Sequence, residues 1–343
     1  MARLLVLGAS YGLLPGVRLA LTGHHVTFVG KADEIAAMAR APLRLLVPDR
    51  RGRAGFDLEA PAPNITLTTP EQADPVAADL VLLAMQEPHY ADPAIAALLS
   101  RIGQTGRPCL SIMNLPPPPF LARLGIAAEA LDGVFSSALA WTRLDPDQLT
   151  LACPDAQALR LDPARPGELT VTLPSNFKAA PFARAADQAL LETLARDWAG
   201  FKHHDLRPPV QLLAQHSIHA PLAKWPMLIA GNCRCLTDQG LRSIGAAVHG
   251  DLAASEALYE VVYNLALALG ARAADLVPFS AYAKAAHGLT RPSSLARALA
   301  GGAIRVERID LLVLRLLERC GLDPAQLIPI VRAIDARLAA NAR

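Results

Sequence analysis

Charge is scarce in this 343-residue chain: 19% of residues are charged and the formal net charge is +2. Such a balance carries no electrostatic footprint for nucleic acid, and no run of like charges suggests a polybasic anchor. No apolar stretch of about 18 residues free of charge occurs, which argues against a membrane span. The opening Met1–Gly8 has too short an apolar run for a secretory signal and reads as a strand, so the cytoplasm is the expected compartment. Cysteine is sparse and odd in number, with Cys109, Cys153, Cys233, Cys235 and Cys320 scattered, which fits reduced thiols. Cys233 and Cys235 lack the two-residue spacer usual in zinc sites and no second pair follows, so no metal is expected. Lysine is rarer still: only Lys31, Lys178, Lys202, Lys224 and Lys284 occur among many arginines, so each retained lysine is informative.

Hydrophobic residues make up 52% of the chain, enough for a full core. At roughly 150 residues per domain the length suggests two domains. Residues Arg3–Leu7, His25–Val29, Arg44–Val47, Ile65–Thr68, Leu80–Ala84 and Cys109–Ile112 read as strands, with helical patterns near Leu13–Leu21, Ala32–Ala39 and Pro93–Arg101. Gly133–Ala140 and Glu168–Leu173 read as further strands of the same sheet, and Asp145–Gly167 as a β-rich excursion or loop. Helical periodicity then dominates Gln211–Ala223, Trp225–Ala230, Asp251–Leu269, Ser294–Ala300, Arg308–Cys320 and Pro324–Ala340. The fold class is α/β: a Rossmann-type parallel-sheet domain over residues 1–200, then an all-helical domain over residues 201–343. Ser255–Leu269 and Ile309–Leu317 are apolar enough to pack on one another, and the helical domain offers surface for a homodimer.

Two motifs carry chemistry. Gly8-Ala9-Ser10-Tyr11-Gly12 follows the first strand directly, where a dinucleotide site brings pyrophosphate to backbone amides at a helix N-terminus. A strict fingerprint would place glycine at positions 10 and 13, which hold Ser10 and Leu13; an ordinary strand-to-helix turn is the alternative. The second strand ends in Gly30-Lys31, and a cation there suits the 2′-phosphate of NADPH; Asp33 or Glu34 would instead favour NADH. Further on, Lys224 is the only charge between Ala220 and Gly231. Apolar surroundings disfavour a charged lysine and bring it toward general-acid work, while a lysine reaching from a buried helix to solvent is the alternative. Asn232 follows eight residues later.

Together these segments resemble the ketopantoate reductase (2-dehydropantoate 2-reductase) family. The likeness rests on the N-terminal glycine turn, Asp79–Met85, Leu110–Asn114, Lys224 with Asn232, and Arg291–Gly302 followed by Glu307 and Asp310. The resemblance implies an NADP-dependent oxidoreductase with a 6-phosphogluconate dehydrogenase-like C-terminal domain, reducing a small 2-keto acid or related substrate. It implies cofactor contacts from Gly8, Ala9, Ser10, Tyr11, Gly12, Lys31, Met85 and Gln86. It makes Lys224 the general acid, puts Asn114 between nicotinamide and substrate, gives Asn232 the substrate hydroxyls and Ser294 the carboxylate, and makes Glu307 the late glutamate, with Arg308 as an alternative alignment. The chain departs from the family at Gln86, where lysine is usual, at Leu115 after Asn114, and at Leu228, where a second asparagine is expected. Those departures point to a different substrate, bulkier or an imine. A second reading takes His216-Ser-Ile-His219-Ala-Pro221 as similar to a segment of opine dehydrogenases, with His219 as acid–base group. A third is a non-catalytic NADPH-binding sensor.

Overall fold

The computed structural model describes residues 1–49, 55–237 and 239–343. They separate into two units, one of Met1–Met85, His89–Arg123 and Ser137–His216, the other of Gln86–Pro88, Leu124–Ser136 and Ser217–Arg343.

In the first unit, strands β1 (Arg3–Leu7), β2 (His25–Val29), β3 (Arg44–Val47), β4 (Phe56–Glu59), β5 (Ile65–Thr68), β6 (Leu80–Leu83), β7 (Cys109–Ile112), β8 (Leu149–Cys153), β9 (Gln157–Leu159), β10 (Glu168–Leu173), β11 (Phe177–Ala179) and β12 (Leu212–Ala214) form two sheets. The larger has the order β12-β11-β8-β7-β6-β1-β2-β5. All its pairings are parallel except β8 with β11. From β1 the chain steps outward to β2 and β5, then returns to lay β6 on the other side of β1. That reversal opens a crevice at the carboxyl ends of β1 and β6, where doubly wound folds bind ligands.

Helices α1 (Leu13–Ala20), α2 (Ala32–Met38), α3 (Pro93–Thr105), α4 (Pro118–Arg123) and α5 (Ala185–Gly200) belong to this unit. Leu4 and Val6 of β1, Val26 and Phe28 of β2, and Leu80 and Leu82 of β6 share one core with Leu13 and Val17 of α1 and Leu194 and Trp198 of α5. Every residue of α1 is buried. Its one charge, Arg18, donates to the Pro209 carbonyl at 2.9 Å and lies 5.1 Å from the Trp198 ring centroid; burial pushes its guanidinium down to about 10. The start and end of α3 are written locally: Asp92 accepts from the Ala94 and Ile95 amides, Pro93 opens the first turn, and Gly106 at φ 65° closes the last.

Several expectations are corrected. Arg44–Val47 and Glu168–Leu173 are strands, but they pair with each other in a separate sheet of order β4-β3-β10-β9 instead of extending the large one. Their inner and outer faces alternate in burial, as in a sheet covered on one side, whereas Leu80–Leu83 is buried throughout. Gly133–Ala140 is not a strand: it forms turns leading into a short 3-10 segment, Ala138–Trp141. Local bonds compete there, with the Ala140 amide donating to the Ser137 carbonyl and the Trp141 indole to the Ser137 hydroxyl. The supposed excursion after Asp145 contains β8, buried along its whole length inside the large sheet. Gln211–Ala223 is not one helix either, since Leu212–Ala214 pairs with β11 and helical structure begins only at Ala220.

The second unit holds α6 (Trp225–Ala230), α7 (Ile244–His249), α8 (Leu252–Ala268), α9 (Phe279–Ala286), α10 (Ser294–Ala300), α11 (Ile309–Arg319) and α12 (Ile328–Asn341). A ribbon of β13 (Leu236–Thr237) and β14 (Gly240–Leu241) is its only strand pair among the described residues. Helix α6 packs along α8 and against α11, and α8 also touches α11. Among the described residues no single helix is long and apolar enough to cross a membrane; the helices α8 and α9, with the turn before α9, pass by length and composition only as a bent pair.

Candidate active site

The turn after β1 is built by close approach. Gly8 has φ +103°, and a Cβ there would lie 2.6 Å from Met85 Cγ and 2.9 Å from the Ala84 carbonyl oxygen at the end of β6. A Cβ on Gly12 would run into the Gly8 carbonyl oxygen and lie 2.6 Å from Val6 Cγ1. The missing third glycine of the strict fingerprint is thus replaced one position earlier: Gly12 lets α1 settle on β1. Within the turn, the Gly12, Leu13 and Leu14 amides donate to the carbonyls of Gly8, Ser10 and Tyr11. The Ala9, Ser10 and Tyr11 amides make no backbone hydrogen bond among the described residues. Three unused donors at the start of a buried helix, in the crevice of a doubly wound sheet, suit the pyrophosphate of a dinucleotide.

Of the residues expected at the cofactor, Gly8, Ala9, Ser10, Gly12 and Met85 meet at this turn. Tyr11 joins through its backbone alone, because its hydroxyl donates to the Ala156 carbonyl at 2.6 Å and its ring stands edge-on to Phe177. Burial pushes its phenol well above the ordinary range, followed by the effect of nearby Asp155. Lys31 is exposed at the start of α2, just beyond β2. Asn114 stands two residues past β7 and is the only partly exposed residue between Cys109 and Pro117. Gln86 is exposed and falls within the second unit.

In the second unit, Lys224 ends a 3-10 segment and precedes Trp225 of α6. From Ala220 to Gly231 only Lys224 and Met227 are partly exposed, so they mark one open face on an otherwise buried stretch. The end of α6 is fixed by Tyr282, whose hydroxyl donates to the Met227 carbonyl at 3.1 Å. Beyond it, the Asn232 carbonyl accepts from Ser293 Oγ at 2.7 Å, while the same Ser293 oxygen accepts from the Ala296 amide and caps α10. Ser293 therefore ties Asn232 to the helix that begins with Ser294. Sequence reasoning overlooked Ser293, although a serine just before a helix is an N-cap signal.

Glu307 is buried just before α11, and its Oε1 accepts from the Glu87 amide at 3.4 Å. Glu87 is itself fully buried, and its Oε2 accepts from Ser136 Oγ at 2.9 Å. No sequence signal pointed to Glu87 or Ser136. Arg308 is held elsewhere: it grips Asp310 with two nitrogens and reaches Asp335 at 2.7 Å. Burial pushes the Asp310 carboxyl up, and the Arg308 fork opposes that.

His219 donates its backbone N–H to Ser217 Oγ at 3.2 Å, and its Nε2 lies 3.3 Å from where a Cβ on Gly270 would sit. Its ring thus rests on the chain just beyond α8. Cys233 and Cys235 are buried, and burial pushes both thiols up. Among the described residues no group of three or more His, Cys, Asp or Glu side chains is arranged to hold a metal ion.

No family model matches the sequence, and no curated protein matches it. Solved structures do. A PanE/ApbA family ketopantoate reductase from Ralstonia eutropha JMP134 is similar at 19% identity and TM-score 0.69, over 99% of this chain and 100% of that one. A 2-dehydropantoate 2-reductase from Methylococcus capsulatus is similar at 16% identity and TM-score 0.68, over 99% and 98%. A D-mandelate dehydrogenase, in a ternary structure with NADH and anilino(oxo)acetate, is similar at 12% identity and TM-score 0.67, over 99% and 100%. At such identities the likeness establishes the fold alone, and the described residues have the fold of the ketopantoate reductases.

Proposed function

We propose that this chain is an NADPH-dependent reductase that adds hydride to the carbonyl carbon of a small 2-keto acid or a related substrate, with Lys224 as general acid. The observation that carries the reading is the turn after β1, whose three unused amides stand at the switch point of the sheet. The fold shared with reductases and with an NADH-bound dehydrogenase supports it. Bound nicotinamide supplies the hydride. Lys224 then gives the proton from its ammonium to the carbonyl oxygen as negative charge builds there, so addition ends in a neutral hydroxyl. Asn114 orients the nicotinamide and the substrate carbonyl. Asn232 holds polar groups of the substrate, Ser294 offers its hydroxyl to the carboxylate, and Glu307 fixes a substrate hydroxyl. Lys31 takes the ribose 2′-phosphate. Gln86 and Leu228 remove polar contacts that the ketopantoate reductase pattern would supply, which points to a substrate other than ketopantoate. We expect a cytoplasmic enzyme with a small-molecule substrate and a homodimer formed through the helical region, with no nucleic-acid or membrane partner.

The test follows NADPH oxidation with a panel of 2-keto acids, with and without amines, for the parent chain and Lys224→Ala. Oxidation by a keto acid alone, lost in the variant while NADPH binding persists, supports the assignment. Turnover that requires an amine moves the chemistry to imine reduction. Binding without turnover across the panel, unchanged by Lys224→Ala, contradicts the catalytic role.

A further inference from the structure

Beside the glycine turn stands an arginine that none of the assignments above uses. Arg160 follows β9 in the smaller sheet and reaches across to the larger one. Its Nη2 donates to the Ala9 carbonyl at 2.7 Å, and its Nη1 meets Glu34 Oε1 at 2.6 Å. Its Nε is buried and has no hydrogen-bond partner among the described residues. Glu34 lies in the first turn of α2, and its Oε2 is 3.1 Å from where a Cβ on Gly30 would sit. The same Gly30 position is 3.3 Å from Ala9 Cβ. One guanidinium therefore joins the loop after β1 to the loop after β2. In a doubly wound sheet those loops face the pyrophosphate and the adenosine ribose.

Two chemistries compete at that spot. A carboxylate folded over the end of β2 can accept from a ribose 2′-hydroxyl, which selects NADH. A guanidinium there can bind a 2′-phosphate with two donors in a planar fork, which selects NADPH. Left alone, Glu34 would repel a phosphate. Paired with Arg160, its charge is matched, and the guanidinium is already fixed by the Ala9 carbonyl before any ligand arrives. A 2′-phosphate carries more charge and more acceptor oxygens than a carboxylate, so it can take the Nη1 donor from Glu34 together with the second N–H of Nη2, the end of the guanidinium that these two nitrogens share. The exposed Lys31 ammonium at the start of α2 adds a second cation on the same loop.

We propose that Arg160 is the cofactor-selecting residue of this chain: it binds the adenosine 2′-phosphate, and Glu34 holds it in place until the phosphate displaces that carboxylate. The assignment rests on the nucleotide reading above. It is tested by binding alone, with 2′,5′-ADP and 5′-AMP as probes, alongside NADPH and NADH. The parent chain, Arg160→Gln and Glu34→Gln are compared, with thermal melts confirming that each is folded. Arg160→Gln is expected to weaken 2′,5′-ADP and NADPH about 10–100-fold, the loss of a charge-assisted pair, and to leave 5′-AMP and NADH within about twofold. Glu34→Gln is expected to tighten the phosphorylated probes and not the others. Equal weakening of both probes by Arg160→Gln would make Arg160 a brace for the turn and overturn the proposal. A parent chain that prefers 5′-AMP and NADH, and loses that preference in Glu34→Gln, would overturn it in favour of hydroxyl recognition by Glu34. Failure of the parent chain to bind either dinucleotide would overturn the nucleotide reading and this assignment with it, whereas tight NADPH binding indifferent to Arg160→Gln would sink this assignment alone.

Discussion

Gly12→Ala adds one methyl group where α1 meets β1. The new carbon would overlap the Gly8 carbonyl oxygen and lie 2.6 Å from Cγ1 of Val6, a core residue of the first unit. A backbone oxygen cannot swing aside as a flexible side chain can, so the helix must withdraw from the strand. Overpacking of that kind costs about 1–3 kcal/mol. Alanine is also a poorer N-cap than glycine by about 0.5–1 kcal/mol, and Gly12 occupies the N-cap of α1. The total is about 2–4 kcal/mol, which lowers Tm by about 4–15 °C for a unit of this size. The withdrawal also breaks the bond from the Gly12 amide to the Gly8 carbonyl, which sets the direction of the free Ser10 and Tyr11 amides. NADPH affinity should fall at least about 10-fold, because charge-assisted bonds to phosphate are lost. Gly200→Ala is the control: among the described residues, no atom outside its chain neighbours and its own helix backbone lies within 4 Å of the added carbon at the end of α5. Thermal melts and a fluorescence titration read both quantities. A Gly12→Ala protein whose Tm moves by less than about 2 °C and whose affinity is unchanged would refute the reasoning.

Three further outcomes are expected. Asp310→Ala leaves the Arg308 guanidinium, 12% exposed, with the more exposed Asp335 as its one carboxylate partner among the described residues, and should cost about 3–5 kcal/mol in urea unfolding; a loss below about 1 kcal/mol would show that the pair matters little. Hydrogen bonding from Arg272 holds the Asp275 carboxyl down to about 2, against an ordinary 3.8. Since the folded value is depressed, the stability it brings is complete above the ordinary value and is lost as pH falls through about 2; Asp275→Asn should flatten the pH dependence of Tm in that window, and an unchanged slope would contradict the assignment. Cys320 is the one exposed thiol and the other four are buried, so a thiol reagent should modify one cysteine per native chain and all five after denaturation; two or more fast thiols would contradict the burial.

The sequence was most legible where local chemistry and long-range pairing agree. Leu4–Leu7 and Leu80–Leu83 are short, apolar on both faces and flanked by turns, and they lie side by side at the centre of the large sheet. Arg44–Val47 and Glu168–Leu173 were legible as strands but not as partners, because their pairing joins segments more than 120 residues apart with nothing local to mark it. Helical periodicity failed at Leu212–Ala214, where the edge of β11 offered a ladder that the local pattern does not record. Among the candidate site residues, the turn glycines of the first unit and Lys224 of the second stand out because each breaks its surroundings, by backbone freedom or by lone charge. Arg160, Glu87 and Ser136 do not: an arginine in a proline-rich stretch, a glutamate and a serine look like surface residues until the fold brings Arg160 to the turn, buries Glu87 and sets the exposed Ser136 hydroxyl against it.

Reductase chemistry in this chain requires first that a dinucleotide bind at the turn after β1. The direct measurement is a titration of the purified parent chain with NADPH and with NADH, followed by tryptophan and nicotinamide fluorescence. Saturable binding is predicted, tighter for NADPH and abolished or strongly weakened by Gly12→Ala. If neither nucleotide binds, the turn is only a connection between strand and helix, and the proposed reductase chemistry falls with it.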